Sequence, residues 1–597
     1  MKDGFIKVAA ASPVISLADT EANAFVISET IEEAYEAGVR IIVFPELTVT
    51  GYTCGDFISH NVLLRGAKEA VEKIAVSTAG KKILSLVGFP QACGSRICSS
   101  AAAIYDGEII GIANCEEDIL FECSDIPGLK VGVELGSDSD EIVPPSYDLA
   151  AEGATVIARM ASFPASVYST KEEEDRLKAD SKRLKCGIVS AAPGYGESTT
   201  DFVYTGLCTV AENGKILSEF EGEDGMAISE LDIDYLMNMR RADGGFDLRE
   251  SEKTVLWSCP LEETKLTRKY KKYPQLPEDP DKMYRYCERM IELQVSGLVR
   301  RMKFAHLDHT VVGISGGVDS TLAVIISALA VSQMGLPSEN CIAVTMPCFG
   351  TSSRTKSNAV VVAEQLGADV RVIDISNSVN MHFDDIGHAR DDYSVAFENA
   401  QARERTQVLM DLANKCNGLD VGTEDLSEYV DGWCTYNGDH TSMYDVNIGM
   451  TKTQVRAAVT HIAKHTENKV LAKALFDVLD CPVTPELLPI RDDMIEQKSE
   501  DAVGSYNLQD FFTWCVLRCG FTPNKTIRLA NIAYNDEFTH EELVRWMTSW
   551  CKRYFTQQFK RSCLMDGPTI DGFSISPRVG FLIPSDAQSS AFTGDIK

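Results

Sequence analysis

The chain has 597 residues, of which 44% are hydrophobic and 24% are charged, and its formal net charge at pH 7 is −31. This length exceeds what one hydrophobic core usually spans, so we expect two or more domains. The negative charge excludes a nucleic-acid binder that depends on phosphate contacts.

A membrane location is not expected either, because the most apolar run, residues 322–331, is about half the length needed to cross a bilayer. The 18 cysteines include no C-x-x-C pair, so reduced thiols of a cytoplasmic protein are expected.

The first half alternates strand-like runs with amphipathic segments, which predicts an α/β layered domain. Strands are indicated by IKVAAA (6–11), VRIIVFPEL (39–47), KKILSLVGFP (81–90), LKVGVEL (129–135) and ATVIARMAS (154–162). Helical patterns cover 23–37 and 171–184, and Asn213-Gly214 is typical of a hairpin turn. A Pro- and Lys-rich stretch then predicts a linker at 264–285, which separates domain 1–263 from domain 286–597.

The second half opens a different pattern. HTVVGISGGVDSTLAVIISALAV (309–331) combines a buried strand, a glycine loop and an apolar helix, and CIAVTMPC (341–348) and DVRVIDIS (369–376) continue the series. This order predicts a doubly wound parallel sheet with ligands at the carboxyl ends of its strands.

The loop Ser315-Gly316-Gly317-Val318-Asp319-Ser320 is the most informative motif of the chain. Its glycines let the backbone approach an anion, and its hydroxyls and the following helix start add donors. Asp319 fits among phosphate donors only if a divalent cation stands between them. The alternative is a tight strand-to-helix turn with a capping serine, and a Walker loop is excluded because no lysine follows the glycines.

The motif SGGxDS resembles the pyrophosphate-binding loop of the N-type ATP pyrophosphatases (the adenine nucleotide alpha hydrolase-like class). Later blocks are similar to those of NAD synthetases, in the family order: MPCFGTSSRTKSNAVVVAEQLGA (346–368), FENAQARERTQVLMDLAN (397–414), GTEDLSEYVDGWCTYNGDHTSMYDVN (422–447), TKTQV (451–455) and QFKRSCLMDGP (558–568). SPRVGFLIPSDA (576–587) is similar to the tail of the long, glutamine-dependent members.

This resemblance implies a ligase that uses ATP to adenylate the nicotinate carboxylate of deamido-NAD, which ammonia then converts to the amide. It implies Mg²⁺ held by Asp319 and Glu428, and catalytic roles for Asp319, Lys452 and Asp439. The implied ATP contacts are Ser315, Gly316, Gly317, Asp319, Ser320, Arg403, Thr423 and Lys452, and the implied deamido-NAD contacts are Arg405, Asp439, Lys560 and Arg561. Taken singly, each basic residue has a surface ion pair as its alternative, and Glu428 a solvated helix position.

The first half resembles the nitrilase-type amidase domain of long NAD synthetases, which implies an α-β-β-α sandwich. The matching blocks are VFPELTVTGY (43–52), GATVIARMASFP (153–164) and GYGESTTDFVYTG (194–206). That family hydrolyses glutamine with a Glu-Lys-Cys triad. Glu46 stands at the glutamate position, but Gly136 replaces the cysteine, and the lysine position falls on Asn114 or Cys115.

We therefore expect a degenerate glutaminase triad (Glu46, Cys115, Gly136) and a synthetase that uses free ammonia or ammonia from a separate amidase. The resemblance also implies a homo-oligomer, an octamer in the family. One alternative is a glutamine-dependent enzyme whose nucleophile has moved to Cys54, Cys115 or Cys123. Others are a different ATP-pyrophosphatase ligase and a non-catalytic nucleotide sensor or scaffold.

Overall fold

The computed structural model describes residues 2–114, 119–136, 141–244, 246, 249–251, 253–349, 353–481 and 504–597. The chain divides into two compact units, Met1–Lys269 and Tyr270–Lys597. The predicted linker, 264–285, spans the end of the first unit and the start of the second.

The first unit contains two sheets. In chain order the strands are β1 Phe5–Ser12, β2 Ile41–Val43, β3 Leu84–Cys93, β4 Arg96–Tyr105, β5 Glu108–Asn114, β6 Leu120–Cys123, β7 Lys130–Leu135, β8 Val156–Met160, β9 Gly187–Ala191, β10 Cys208–Glu212, β11 Lys215–Phe220, β12 Gly225–Asp232 and β13 Thr254–Trp257. One sheet has the order β12-β1-β2-β3-β4-β5, and the other has the order β11-β10-β9-β8-β7-β6-β13.

Helices cover the outer faces of both sheets. They are α1 Thr20–Glu36, α2 Asn61–Ser77, α3 Pro145–Ala151 and α4 Ser169–Leu184, whereas Ile233 and Leu236 of a fifth helix, α5 Ile233–Asp243, belong to the core between the sheets. Apolar side chains of α1 and α2 pack on the first sheet, those of α3 and α4 pack on the second, and a third core fills the space between the sheets. The predicted α-β-β-α sandwich is thus confirmed.

The second unit is built on five strands: β14 His309–Gly313, β15 Cys341–Thr345, β16 Asp369–Val372, β17 Gly418–Gly422 and β18 Tyr444–Asp445. Its helices are α6 Pro280–Ala305, α7 Val318–Gln333, α8 Ser353–Gln365, α9 Ser376–Ile386, α10 Val395–Lys415, α11 Leu426–Asp431, α12 Lys452–His465, α13 Lys469–Leu479, α14 Tyr506–Thr513, α15 Pro523–Ala533, α16 His540–Thr556, α17 Gln558–Arg561 and α18 Ser590–Asp595. Short 3-10 turns cover Lys2–Gly4, Tyr52–Ser59, Ser338–Asn340 and Pro577–Val579, and a π-helical turn covers Trp514–Arg518.

All neighbouring strands of this sheet run parallel, in the order β16-β15-β14-β17-β18. Helices α6, α7, α12 and α13 pack on one face, and α9 and α10 pack on the other. The doubly wound parallel sheet is therefore confirmed. The chain reverses its direction of progress across the sheet between β14 and β17, and ligands of such sheets bind where these two strands end.

Cys93 and Cys98 form a disulfide across the β3–β4 hairpin, against the expectation of reduced thiols throughout. In the described part of the chain, helices that are both long and apolar enough to cross a membrane are absent.

Candidate functional site

The glycine loop joins β14 to α7 at the predicted edge of the sheet. Gly316 has φ +90°, a left-handed conformation that glycine adopts without strain. The Ser315 and Ser320 hydroxyl oxygens lie 3.1 Å apart, and the Gly317 N–H donates to Ser315 Oγ (3.2 Å). A side chain at Gly317 would meet only Ser315 Oγ within 4 Å, so the loop faces open space that an anion can fill.

The second strand end, after β17, supplies the acidic groups. Asp425 caps α11, where its Oδ1 accepts the Glu428 N–H (2.9 Å), and Glu428 Oε2 accepts the Asp425 N–H in return (3.3 Å). This capping box fixes both carboxylates at the start of the helix. Asp425 is fully buried, whereas Glu428 keeps some contact with solvent.

Lys452 joins the two strand ends. Its Nζ lies 2.7 Å from Asp319 Oδ2, 3.1 Å from Asp425 Oδ2 and 2.9 Å from Glu428 Oε1. The lysine side chain is 1% exposed, so these ion pairs form in a medium of low polarity. One buried ammonium group therefore faces three carboxylates at the point where the sheet binds ligands.

The same contacts control protonation. Burial alone would lower the pKa of Lys452, but Asp319, Asp425 and Glu428 raise this pKa well above its usual value. Burial raises the pKa of Asp425 and of Glu428, and the Lys452 charge opposes both changes. The lysine thus stays charged at neutral pH.

The cluster fits a divalent cation. Asp319, Asp425 and Glu428 can each place one carboxylate oxygen within 4.8 Å of the others. Asp319 Oδ1 is buried and has no hydrogen-bond partner among the described residues. Carboxylate oxygens are the ligands that Mg²⁺ prefers. Asp425 was not singled out from the sequence, although it lies within the quoted block GTEDLSE.

The loop after α11 carries the predicted nicotinate end. The Thr435 N–H donates to Asp439 Oδ1 (2.6 Å), and Lys560 Nζ donates to the carbonyl oxygens of Gly432 (2.7 Å) and Cys434 (2.6 Å). Burial lowers the pKa of Lys560. Asp439 and Lys560 are thus held by one loop, 432–439.

The predicted arginines lie in different surroundings. Arg403, on α10, is exposed and donates to the Tyr436 carbonyl oxygen (3.3 Å), whereas Arg405 donates to the Met346 carbonyl oxygen (3.3 Å) at the end of β15. Neither guanidinium belongs to the Lys452 cluster.

Arg561 is 1% exposed, and the hydrogen bonds described for it go to protein atoms. It donates to Tyr429 O (3.2 Å), Val430 O (2.9 Å), Gln558 Oε1 (3.0 Å) and Tyr554 O. These contacts tie α11 to α16 and α17, which is a structural role, and a role in ligand binding remains a prediction. Thr423 directly follows β17, and its backbone carbonyl oxygen accepts a hydrogen bond from Asn447 Nδ2 (3.1 Å).

In the first unit, Glu46 is 2% exposed, and its N–H donates to the Ala161 carbonyl oxygen (3.3 Å). Gly136 directly follows β7 and is buried. A Cβ atom there would lie 2.4 Å from Ser162 Oγ and 2.5 Å from the Ser162 backbone nitrogen, so position 136 has no room for a side chain. The third residue of the predicted degenerate triad, Cys115, lies outside the described residues.

Two of the three thiols considered as relocated nucleophiles are described. Cys54 Sγ donates to the Thr50 carbonyl oxygen (2.9 Å), and burial raises the pKa of both Cys54 and Cys123. A raised pKa disfavours the thiolate that nucleophilic attack requires.

Several known proteins are similar to this chain. The NAD synthase family model matches residues 290–478. The glutamine-dependent NAD(+) synthetase of Mycobacterium leprae is 32% identical over 667 aligned residues, which cover 100% of this chain and 98% of that protein. The enzyme of the same name from Thermotoga maritima is 26% identical and covers 74% of this chain and 78% of that protein.

A solved glutamine-dependent NAD(+) synthetase from Cytophaga hutchinsonii aligns with 99% of this chain and 100% of that chain, at 16% identity and a TM-score of 0.44. The match to the Mycobacterium leprae protein spans both units. The chain belongs to the family of glutamine-dependent NAD(+) synthetases.

Proposed function

We propose that this chain converts deamido-NAD to NAD by an ATP-dependent amidation that passes through an adenylated intermediate and releases AMP and pyrophosphate. The observation that carries this proposal is the contact of Lys452 with Asp319, Asp425 and Glu428 beside the Ser315–Ser320 loop. This contact brings together, at the carboxyl ends of β14 and β17, groups that can bind phosphates and a cation.

The nicotinate carboxylate of deamido-NAD is a poor electrophile, so the reaction requires that ATP activate it. The backbone and hydroxyl groups of Ser315, Gly316, Gly317 and Ser320 would bind the ATP phosphates, with Thr423 and Arg403 as further contacts. A divalent cation such as Mg²⁺, held by Asp319 and Glu428, would stabilise charge on the departing pyrophosphate. Lys452 would supply a positive charge for the same purpose.

Deamido-NAD would bind at the other end of the site. Lys560 and Arg405 carry positive charge for its phosphates and carboxylate, and Asp439 would orient the nicotinate end and the incoming ammonia. After ammonia attacks the mixed anhydride, AMP leaves, so the protein needs no nucleophile of its own.

The nitrogen source has two candidates. The names of the relatives favour glutamine, and the expectation that this chain uses ammonia alone is not confirmed. Glutamine use requires a nucleophile at a position other than 136, because glycine has no nucleophilic group.

Ammonia remains the second candidate because a specific observation favours it. The Ser162 backbone and side chain occupy the space of a side chain at Gly136, and the described thiols Cys54 and Cys123 have raised pKa values. An enzyme of this kind would take free ammonia or the product of a separate amidase. The implied homo-oligomer remains part of the proposal.

The test is NAD formation from deamido-NAD, ATP and Mg²⁺, with ammonium and glutamine in separate reactions. NAD formation with ammonium but not with glutamine supports synthetase activity together with an inactive glutaminase. Equal activity with glutamine that is lost in Cys54→Ala, Cys115→Ala or Cys123→Ala supports a relocated thiol. Inactivity with both nitrogen sources, while ATP still binds, would favour a nucleotide sensor instead.

A further inference from the structure

Asn447 lies between the two strand ends of the synthetase site. It follows β18 by two residues and is fully buried. Its Nδ2 donates to the Asp319 carbonyl oxygen (3.0 Å) and to the Thr423 carbonyl oxygen (3.1 Å). One side-chain amide therefore links the first turn of α7 to the residue that follows β17.

The other atoms of Asn447 are fixed as well. Its Oδ1 accepts Gln294 Nε2 (3.0 Å) from α6, and its backbone N–H donates to Asp445 Oδ1 (3.0 Å). Asp445 Oδ2 in turn accepts the Tyr429 hydroxyl (2.9 Å) from α11. These contacts set the amide orientation, so that the NH₂ group faces Asp319 and Thr423.

Only an amide satisfies this arrangement. Carbonyl oxygens accept hydrogen bonds and do not donate them, so two carbonyls that share a partner need two N–H donors from it. An aspartate at 447 would have the same shape but would present an oxygen to both carbonyls. Because the site is buried, water does not hydrate the two unpaired carbonyl oxygens, and we expect Asp319 and Thr423 to move apart.

We infer that Asn447 is a positioning residue that sets the distance between Asp319 and Thr423, and so the fit of the metal–ATP complex. This inference rests on the proposed function, in which Asp319 holds the cation and Thr423 contacts ATP. Asn447 acts through the backbone of both residues. Asp439 and Lys560 are held by Thr435, Gly432 and Cys434 instead, and the hydrogen bonds of Asn447 Nδ2 go to Asp319 and Thr423 and not to these residues.

The test uses Asn447→Asp in the full chain. We expect the KM for ATP and the Mg²⁺ concentration for half-maximal activity to rise about tenfold. The KM for deamido-NAD should stay within about twofold of wild type, a smaller change than the loss of one hydrogen bond to that substrate would cause. Gln294→Met removes the bond that orients Asn447 without touching Asp319 or Thr423. It should change the same two quantities in the same direction and less strongly.

Asn23 provides a matched control in the first unit. It is equally buried, its Nδ2 donates to the carbonyl oxygens of Ser16 (2.8 Å) and Val49 (3.0 Å), and its Oδ1 accepts the Ser16 N–H (2.7 Å). Asn23→Asp should lower the Tm about as much as Asn447→Asp but leave the KM for ATP unchanged. Equal KM values for ATP in the two variants would overturn the inference.

Equilibrium binding of a non-hydrolysable ATP analogue with Mg²⁺ separates this inference from the proposed function. If the wild-type chain forms no NAD, the proposed function fails. Weaker analogue binding in Asn447→Asp and Gln294→Met, but not in Asn23→Asp, would still support the positioning role. Unchanged binding in all three variants would contradict it.

Discussion

Asp425 performs two tasks with two oxygens. Its Oδ1 caps α11, and its Oδ2 lies 3.1 Å from Lys452 Nζ. The first task needs only a hydrogen-bond acceptor, whereas the second needs a negative charge. A neutral residue of the same shape can therefore separate the structural role from the electrostatic one.

We predict that Asp425→Asn keeps the fold and weakens the metal site. Asparagine caps helices about as well as aspartate, so the Tm should stay within about 2 °C of wild type. The loss of one carboxylate beside the cation should raise the Mg²⁺ concentration for half-maximal NAD formation about tenfold.

Asp279→Asn is the control for this prediction, because Asp279 caps α6 in the same way, with Oδ1 accepting the Lys282 N–H (2.8 Å). A Mg²⁺ requirement that rises equally in both variants would contradict a specific role of Asp425.

At the residue scale, the sequence located the loop Ser315–Ser320, Glu428 and Lys452, and the structure brings Asp319, Glu428 and Lys452 into contact. The sequence did not show that Arg561 contacts backbone carbonyls, because residue type does not tell whether a guanidinium faces a ligand or the protein backbone. Asn447 was not singled out either, since the two carbonyl oxygens that its Nδ2 contacts belong to the backbone, which any sequence provides.

Strand β17 carries a carboxyl group in its middle, at Asp420, which is 2% exposed. Burial raises the pKa of Asp420 to about 7, and Asp445 contributes in the same direction. Such a group binds its proton more tightly in the folded than in the unfolded protein. Its contribution to stability is complete below about pH 4 and is lost as the pH rises through about 7.

We predict that Asp420→Asn flattens this dependence. The wild-type free energy of unfolding should fall between pH 5 and pH 8, and the gain of the variant relative to wild type should be about 2–3 kcal/mol larger at pH 8 than at pH 5. Denaturant unfolding at the two pH values measures the difference. Exposed Asp391→Asn is the control, and an equal gain at both pH values would show that the pKa of Asp420 is not the cause.

Strand β7 ends close to the backbone of Ser162, which follows β8. The short contacts of a Cβ at Gly136 include the Ser162 backbone nitrogen, which no change of rotamer can remove. We predict that Gly136→Ala costs about 1–3 kcal/mol of unfolding free energy, as overpacking does elsewhere.

Gly594→Ala is the control, because nothing lies within 4 Å of a Cβ at Gly594. Thermal unfolding compares the two variants. A Gly136→Ala protein as stable as wild type would mean that the segment around Ser162 yields easily, and that restoring a thiol at 136 is sterically possible.

At the element scale, the periodicity of apolar residues predicted the long helices correctly. Helices predicted at 23–37 and 171–184 are Thr20–Glu36 and Ser169–Leu184, and Asn213-Gly214 forms the turn between β10 and β11. β17 and β18 were not predicted. Asp420 interrupts the apolar run of β17, and β18 has only two residues, which is too short for a period of two to appear.

For the whole molecule, Lys452 determines how stability responds to metal. Three carboxylates would repel one another without a cation, and Lys452 supplies that charge from within the chain. We predict that a chelator leaves the wild-type Tm within about 1 °C, a change well below 1 kcal/mol. Lys452→Met should unfold at a lower temperature, and added Mg²⁺ should restore part of the loss.

Lys464→Met, an exposed change on the same helix, is the control and should respond to neither chelator nor Mg²⁺. A wild-type Tm that falls strongly with chelator would show that the metal, and not the lysine, holds the cluster together.

The ammonium group at the centre of the cluster also bears on the order of events in the cell. A newly synthesised chain can complete folding before it meets a divalent ion, because its own lysine offsets part of the negative charge of the acidic site. A free cation must then compete with the Lys452 ammonium group for the three carboxylates, so its binding gains little free energy. A nucleotide brings negative charge that can draw the lysine away from the carboxylates, so we expect metal to enter together with its nucleotide and to leave with the products.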